Sequence, residues 1–524
     1  MTVFGQSGSV STERTWFLLD PDSNHVQGVS AEKAYATVLK GRPSKTIIVA
    51  IIDSGIDIDH EDLTNVIWTN PDEVAGNGID DDKNGYTDDI HGWNFIGGKD
   101  GEVNEDTYEL TREYMRLDKK FSATPENKVA KKEKKAYAEY LKIKDKYTRL
   151  RDKNQEEYSY YLKMSKNLKM SMDTLKSVLE IDPLTVAAID SFKSTNPTLS
   201  FAKGFTKFIL RNSNGGDDLE LIQKELSETL NYYRVIVEYG YNTDFDSRRL
   251  VGDDYGNPRE RYYGNNNVKG PDSKHGTHVA GIVAADRTNE LGIKGIADNV
   301  RIMSLRAVPN GDERDKDIAN AIRYAVDNGA KIINMSFGKS FSPEKVIVDE
   351  AVAYAEKRGV LLVHASGNES EDNDKVGNFP NRRYLNGKEA RNWLEVGASS
   401  AGSDQDFVPN FSNYGKKSVD LFAPGVDVYS TTPENTYVEQ SGTSMAAPVA
   451  TGVAALLWSY FPDLAVTQVV DILKSSTRKF DGLRVKRPGG GEVEFSELSN
   501  TGGLINAYEA ALAASKLTGA AIEK

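Results

Sequence analysis

Cysteine is absent from the 524-residue chain. No disulfide, thiolate nucleophile or cysteine-ligated zinc or iron–sulfur centre can form, and the redox compartment is left open. Long apolar runs are missing too, since none approaches the roughly 20 residues that a bilayer-spanning helix needs. Positive charge is in deficit: 65 Lys and Arg face 78 Asp and Glu, giving a net charge of −13 and a pI near 5.2. That balance argues against nucleic acid or an anionic membrane as the main partner. Histidine is scarce at six residues, so two within one short motif carry information. The first fifteen residues lack a basic start followed by an apolar core. The chain is therefore read without a signal peptide, as an intracellular protein or a mature form.

What is present is enough to build one large core with an insertion. The run Thr46–Ile52 (T-I-I-V-A-I-I) is β-branched, continuous and closed by Asp53-Ser54-Gly55. It reads as a strand buried on both faces, as in a parallel sheet. From residue 300 onward, strand candidates (300–307, 331–336, 360–364, 394–397, 419–422) alternate imperfectly with helix candidates (317–328, 343–357, 445–459, 466–475, 503–515). The pattern predicts an α/β layered fold around a mostly parallel sheet. Composition changes near Asp100. Residues 119–180 are rich in Lys, Glu, Tyr and Leu and nearly free of Gly and Pro. Their apolar spacing predicts a helical hairpin that breaks near Asp152-Lys153-Asn154. The division that follows is an N-terminal extension (1–45), a layered domain (46–100 and 241–524) and an inserted helical subdomain (101–240).

Residues 77–89 read N-G-I-D-D-D-K-N-G-Y-T-D-D. Asp80, Asp82, Asn84, Gly85 and Asp88 take positions 1, 3, 5, 6 and 9 of a calcium loop, although His91 replaces the closing acid. The spacing predicts a structural Ca²⁺ site with Asp80, Asp82, Asn84 and Asp88 as ligands; a solvated acidic turn is the alternative.

The chemistry-bearing residues lie at element ends beside glycines. Ser444, in Gly442-Thr443-Ser444-Met445-Ala446-Ala447-Pro448, precedes an apolar run that reads as a buried helix. Small neighbours admit a substrate backbone, and the helix N-terminus directs free N–H groups at developing charge. His275, in His275-Gly276-Thr277-His278-Val279-Ala280-Gly281, suits a general base, with His278 a packed helix residue. Asp53 can orient the imidazole, and Asn368, in Ala365-Ser366-Gly367-Asn368, can donate to an oxyanion. Together they supply every part of a serine hydrolase in the chain order Asp, His, Ser.

These three motifs closely resemble the signatures of the subtilases, the subtilisin-like serine proteases. The resemblance covers about 45–100 and 250–515 and leaves out the helical insertion. It implies a three-layer subtilisin-like fold and an endopeptidase with Asn368 in the oxyanion hole. It further implies that Ser336, Phe337 and Gly338 form the edge that pairs with substrate. Ala365, Ser366 and Gly367 would be the other wall of the pocket before the scissile bond, and Gly377 its floor. Glu369 would disfavour acidic side chains at the rim. Asp62 matches an acid of the family's structural calcium site, with Asn289 as a candidate co-ligand. Protein or peptide substrates, a monomeric chain, and a secreted or cell-surface location follow by analogy. The insertion leaves the chain between the Asp53 strand and the His275 helix, so it is expected at the site's rim, limiting or selecting substrates. The competing reading is a catalytically inactive subtilase-fold protein used for binding or adhesion.

Overall fold

The computed structural model describes residues 14–212 and 218–519. Most of the residues read above for a leader therefore lie outside the described ones. The chain divides into two compact units, one comprising 110–245 and the other 10–109 with 246–524.

The larger unit is built on a nine-stranded sheet. Its strands are β1 (Ile47–Asp53), β2 (Gly92–Asn94), β3 (Val300–Arg306), β4 (Ile332–Met335), β5 (Leu361–Ala365), β6 (Trp393–Ser399), β7 (Leu421–Pro424), β10 (Arg478–Lys479) and β11 (Gly503–Leu504). A separate hairpin is formed by β8 (Val428–Thr432) and β9 (Thr436–Gln440). The sheet order is β10-β11-β7-β6-β5-β4-β1-β3-β2, parallel throughout except for the edge pair β10–β11. Successive residues of β1 go to opposite cores. Val49 and Ile51 pack in one, with the helices Lys274–Ala284 and Thr443–Tyr460, while Ala50 and Ile52 pack in the other, with Asp315–Asp327 and Lys345–Arg358. A strand buried on both faces has to be apolar at every position, which is why β1 reads as an unbroken run. The result is a three-layer α/β/α fold. One expected helix is corrected: Gly503 and Leu504 join the sheet edge, and the helix starts only at Ala507.

The smaller unit is helical. Its main elements are α1 (Glu109–Phe121), α2 (Lys134–Leu179), α3 (Pro197–Asn212) and α4 (Leu219–Val235). The hairpin expected at 152–154 does not form, because α2 runs unbroken for 46 residues. Asn154 turns its amide back onto the Leu150 carbonyl (2.7 Å), so the polar triplet is accommodated within the helix rather than ending it. Leu168, Met172 and Leu175 of α2 pack with Ala202 and Ile209 of α3 and with Leu219 and Ile222 of α4. Among the described residues, no helix is long and apolar enough to cross a membrane.

Candidate active site

Parallel sheets gather function at the C-terminal ends of their strands, and Asp53 is the last residue of β1. It is 2% exposed. The helix Lys274–Ala284, here α5, starts directly above that end. Gly276 makes the approach possible, since a Cβ there would lie 2.2 Å from the Gly55 carbonyl oxygen and 3.2 Å from Asp53 Cβ. His275 Nδ1 is 2.7 Å from Asp53 Oδ1, which also accepts from the Ser54 N–H at 2.8 Å. Burial disfavours the imidazolium, but the Asp53 carboxylate, through charge and hydrogen bond, and the Asp272 charge outweigh it. The His275 pKa stands above its ordinary value. Because the acid limb of kcat/KM reports the free enzyme's base, Asp272→Asn is expected to move that limb to lower pH. A pH profile on a short neutral peptide checks the direction, and an unmoved or raised limb contradicts it.

The nucleophile arrives through the β8–β9 hairpin. Ser430 Oγ and Thr431 Oγ1 donate to the His278 and Thr277 carbonyls at 2.7 Å each, and His278 Nε2 meets the Val438 carbonyl at 3.0 Å. The hairpin therefore docks on α5 just before Ser441-Gly442. His278 is buried, and desolvation pushes its pKa down to about 3, consistent with a neutral packing residue. Ser444 lies in the first turn of the helix Thr443–Tyr460. Pro448 has no N–H to give the Ser444 carbonyl, and Ser336 Oγ supplies that bond at 2.9 Å. The Ser444 hydroxyl in turn donates to the Ser336 carbonyl at 3.1 Å. Proton transfer to His275 thus requires the O–H to turn from that carbonyl to the imidazole. Asp53, His275 and Ser336 line one cavity of about 370 Å³.

Asn368 is oriented from the same helix. Its Oδ1 accepts from Thr443 N (2.9 Å) and Thr443 Oγ1 (3.0 Å), which leaves the Nδ2 group outermost. A Cβ on Gly442 would sit 3.6 Å from Ser444 N and 3.8 Å from Asn368 Nδ2, so both donors border the space that glycine leaves open. Replacing Asn368 by Leu is expected to lower kcat by about 10²–10³-fold, the magnitude established for one oxyanion donor in a subtilase. Steady-state kinetics with KM nearly unchanged would identify the loss as one of transition-state binding.

Ser336, Phe337 and Gly338 follow β4, and Ala365, Ser366 and Gly367 end β5, so the two expected pocket walls lie on neighbouring strands. At the expected floor, a Cβ on Gly377 would meet the Phe379 ring at 2.8 Å, and its neighbour Asn378 reaches between the walls. Its Nδ2 donates to the Ala365 and Ser366 carbonyls (3.3 and 3.0 Å), and its Oδ1 would lie 2.5 Å from a Cβ on Gly338. Backbone pairing of Phe379 with Lys339 (3.0 and 2.9 Å) sets this register, which no local pattern announces. Glu369 is exposed but also braces the oxyanion turn, accepting from Asn368 N and Asn413 Nδ2. Two buried residues that sequence reasoning missed support the nucleophile: Thr451 donates to Asn334, whose amide donates to Ser336 Oγ (2.9 Å each). Their only sequence signal is a polar residue inside an apolar run.

The acidic loop assembles differently from its spacing. Glu73, Asp82 and Asp89 bring carboxylate oxygens within 4.8 Å of one another. Asn84 Nδ2 bonds both Asp82 and Asp89. Asp80 accepts from Asn84 N, as Asp82 does, and from Gly85 N, while Asp88 accepts from Asn77 N and Gly78 N. Glu73 Oε2 is buried without a hydrogen-bond partner. Separately, Asp62 is fully buried and accepts from Asn289 Nδ2 (2.8 Å) and Ile293 N (3.1 Å). Burial raises its pKa despite those bonds. Both carboxylate groups therefore have neutral donors around them and suit a hard cation with oxygen ligands.

A buried carboxylate behind an imidazole, a serine in the first turn of a helix and an amide donor beside it are the parts that serine hydrolases of the Asp, His, Ser order use. The subtilase family model matches residues 44–491, and the chain belongs to the subtilase family. A thermophilic serine proteinase of Bacillus sp. (strain AK1) is 44% identical over 188 residues, covering 36% of this chain and 43% of its own. The cell wall-associated protease of Bacillus subtilis (strain 168) is 30% identical over 354 residues, covering 65% and 36%. The chain thus spans less than half the length of either relative. A solved structure of a protease from Pseudoalteromonas arctica aligns with 30% identity over 48% of this chain and 74% of its own, at a TM-score of 0.38.

Proposed function

We propose that the chain is a serine endopeptidase that hydrolyses peptide bonds of protein substrates through an acyl-enzyme. Ser444 Oγ attacks the scissile carbonyl as His275 takes its proton. Asp53 holds the imidazole with Nδ1 protonated and stabilises the imidazolium that forms. Asn368 Nδ2 and the Ser444 N–H receive the oxyanion. His275 then protonates the leaving amine, and water releases the acyl group by the same sequence in reverse. The observation that carries this reading is the 2.7 Å Asp53–His275 contact at a cavity also lined by Ser336, whose carbonyl accepts the Ser444 hydroxyl. A fluorophosphonate probe tests it: labelling of Ser444 that disappears in Ser444→Ala, together with hydrolysis of unfolded casein, supports the enzyme. Neither labelling nor hydrolysis would leave the inactive binding protein standing. The cell wall-associated relative supports a secreted or surface location.

The same reading includes structural calcium. Glu73, Asp82 and Asp89, with the Asn84 side chain, would hold one ion, and Asp62 with Asn289 another. The ion supplies cross-linking between loops and neutralises buried carboxylates. Calcium at a hundred times its dissociation constant is expected to add about 2.7 kcal/mol of stability. Scanning calorimetry in calcium and in EGTA checks this, with Asp89→Ala abolishing the share of the first site. Equal melting temperatures in both buffers would reject calcium.

A further inference from the structure

The inserted unit has a charge opposite to that of the rest of the chain. Residues 110–245 contain 25 Lys and Arg against 20 Asp and Glu, whereas the remaining residues contain 40 against 58. The excess is concentrated in 119–153, where 13 basic residues face 5 acidic ones. Along α2, at about 100° per residue, Lys135, Lys142, Lys146, Arg149 and Lys153 fall within an arc of about 60°. Lys135, Lys142, Arg149 and Lys153 are exposed, and none is in an ion pair among the described residues. Between Lys135 and Lys153 no acid falls inside that arc: Glu139 lies about 20° beyond one edge and Asp145 about 40° beyond the other. Glu139 and Asp145 stand four residues from Lys135 and Arg149, as on an ordinary solvated face, but the row itself places a base at steps of seven, four, three and four residues.

We propose that this row is a docking surface for acidic segments of polypeptide substrates, bound in extended form. The proposal rests on the endopeptidase reading. From Lys135 to Lys153 the row is about 27 Å long at 1.5 Å per residue, which an extended peptide of about eight residues spans. Stretches of a substrate that the acidic remainder of the chain repels would be held on the same molecule, raising their local concentration. Nucleic acid fits less well, because the segment's Tyr140 and Tyr147 are buried and offer no stacking platform. A lipid surface fits less well too, since the apolar side of the segment, Tyr140, Ile143 and Tyr147, is already buried.

The test uses the full chain, one fluorogenic peptide, and the same peptide with a decaglutamate or a decaglutamine tail. The glutamate tail is expected to lower KM about tenfold relative to glutamine at low salt, and the difference should vanish in 0.5 M salt. It should also vanish when Lys135, Lys142, Arg149 and Lys153 are all changed to Glu, with kcat/KM on the untailed peptide unchanged. The same four positions changed to Gln repeat the comparison if the Glu variant loses helicity. Direct binding of labelled decaglutamate to Ser444→Ala reads the row without catalysis. Absence of hydrolysis of any peptide would defeat the endopeptidase reading alone, and absence of decaglutamate binding would defeat the docking surface. Equal KM for both tails, or tighter binding of a single-stranded oligonucleotide of equal charge, also overturns it.

Discussion

Ser444→Ala is expected to lower kcat by about 10⁶-fold, while His275→Ala should cost about as much and the double variant little more. The reason is that the two groups act as one unit: without the hydroxyl there is no attacking oxygen, and without the imidazole the hydroxyl keeps its proton. The non-additivity and its size follow behaviour established for subtilisin, a member of this family, and are carried over rather than derived. A residual rate about 10³–10⁴-fold above water should survive in every case, because the donors of Asn368 and Ser444 N and the substrate edge remain. The geometry makes Ser444→Ala a clean probe. Among the described residues its hydroxyl bonds only the Ser336 carbonyl, whereas the bond that fills the gap left by Pro448 comes from Ser336 Oγ to the Ser444 backbone and persists in alanine. Stability should therefore change little while turnover collapses. Steady-state kinetics beside thermal melts separate the two effects. A loss below about a hundredfold, or a second large loss on adding His275→Ala, would falsify the shared mechanism.

How far the sequence reveals the site depends on where each partner lies along the chain. Asp53, His275, Ser444 and Asn368 are legible because each stands at the end of an apolar run beside glycine, where a chain turns and exposes a side chain. The alternation of β1 between two cores is legible for the same reason: burial on both faces writes itself as an unbroken apolar run. The inserted helices are legible from their spacing, but the polar triplet at 152–154 misleads. Polar residues on a solvated arc cost a long helix little, and Asn154 satisfies itself on the Leu150 carbonyl. Residues paired across long separations leave no local trace. Tyr324 donates to Asp89 at 2.5 Å from 235 positions away, and Glu73 enters the same cluster from outside the acidic run. Asn378 bonds the Ala365 and Ser366 carbonyls in a register fixed by the pairing of Phe379 with Lys339, 40 positions away. Local spacing brings Asp80 and Asp88 into the acidic loop, but not the backbone N–H groups of Gly85 and Gly78 that they accept from there.

Asp53→Asn is the second substitution with a very large expected effect, about 10⁴-fold in kcat. Two routes lead there, and the geometry weights them. An amide nitrogen facing His275 Nδ1 would force the ring to accept at Nδ1 and carry its proton on Nε2, where it cannot take the Ser444 proton. That orientation also sets the amide against the Ser54 N–H, which donates to the same Asp53 oxygen as His275. The opposite orientation keeps oxygen toward both donors and places the amide nitrogen at the Oδ2 position, which is buried and has no hydrogen-bond partner. Leaving that donor unsatisfied costs about 1–3 kcal/mol of stability. In both orientations the negative charge is gone. Burial, the largest influence on His275, is then opposed chiefly by the Asp272 charge, and the imidazole pKa should fall from its raised position. The sign follows directly: with the base deprotonated at lower pH, the acid limb of kcat/KM should move down in pH even as the plateau collapses. Both orientations leave a donor unsatisfied, Ser54 N–H in the first and the amide in the second, so both should lower the melting temperature. Nitrogen NMR of the imidazole tells them apart, with the proton on Nε2 in the first and on Nδ1 in the second. A plateau reduced less than tenfold, or an acid limb that rises, would mean that Asp53 does not act through His275.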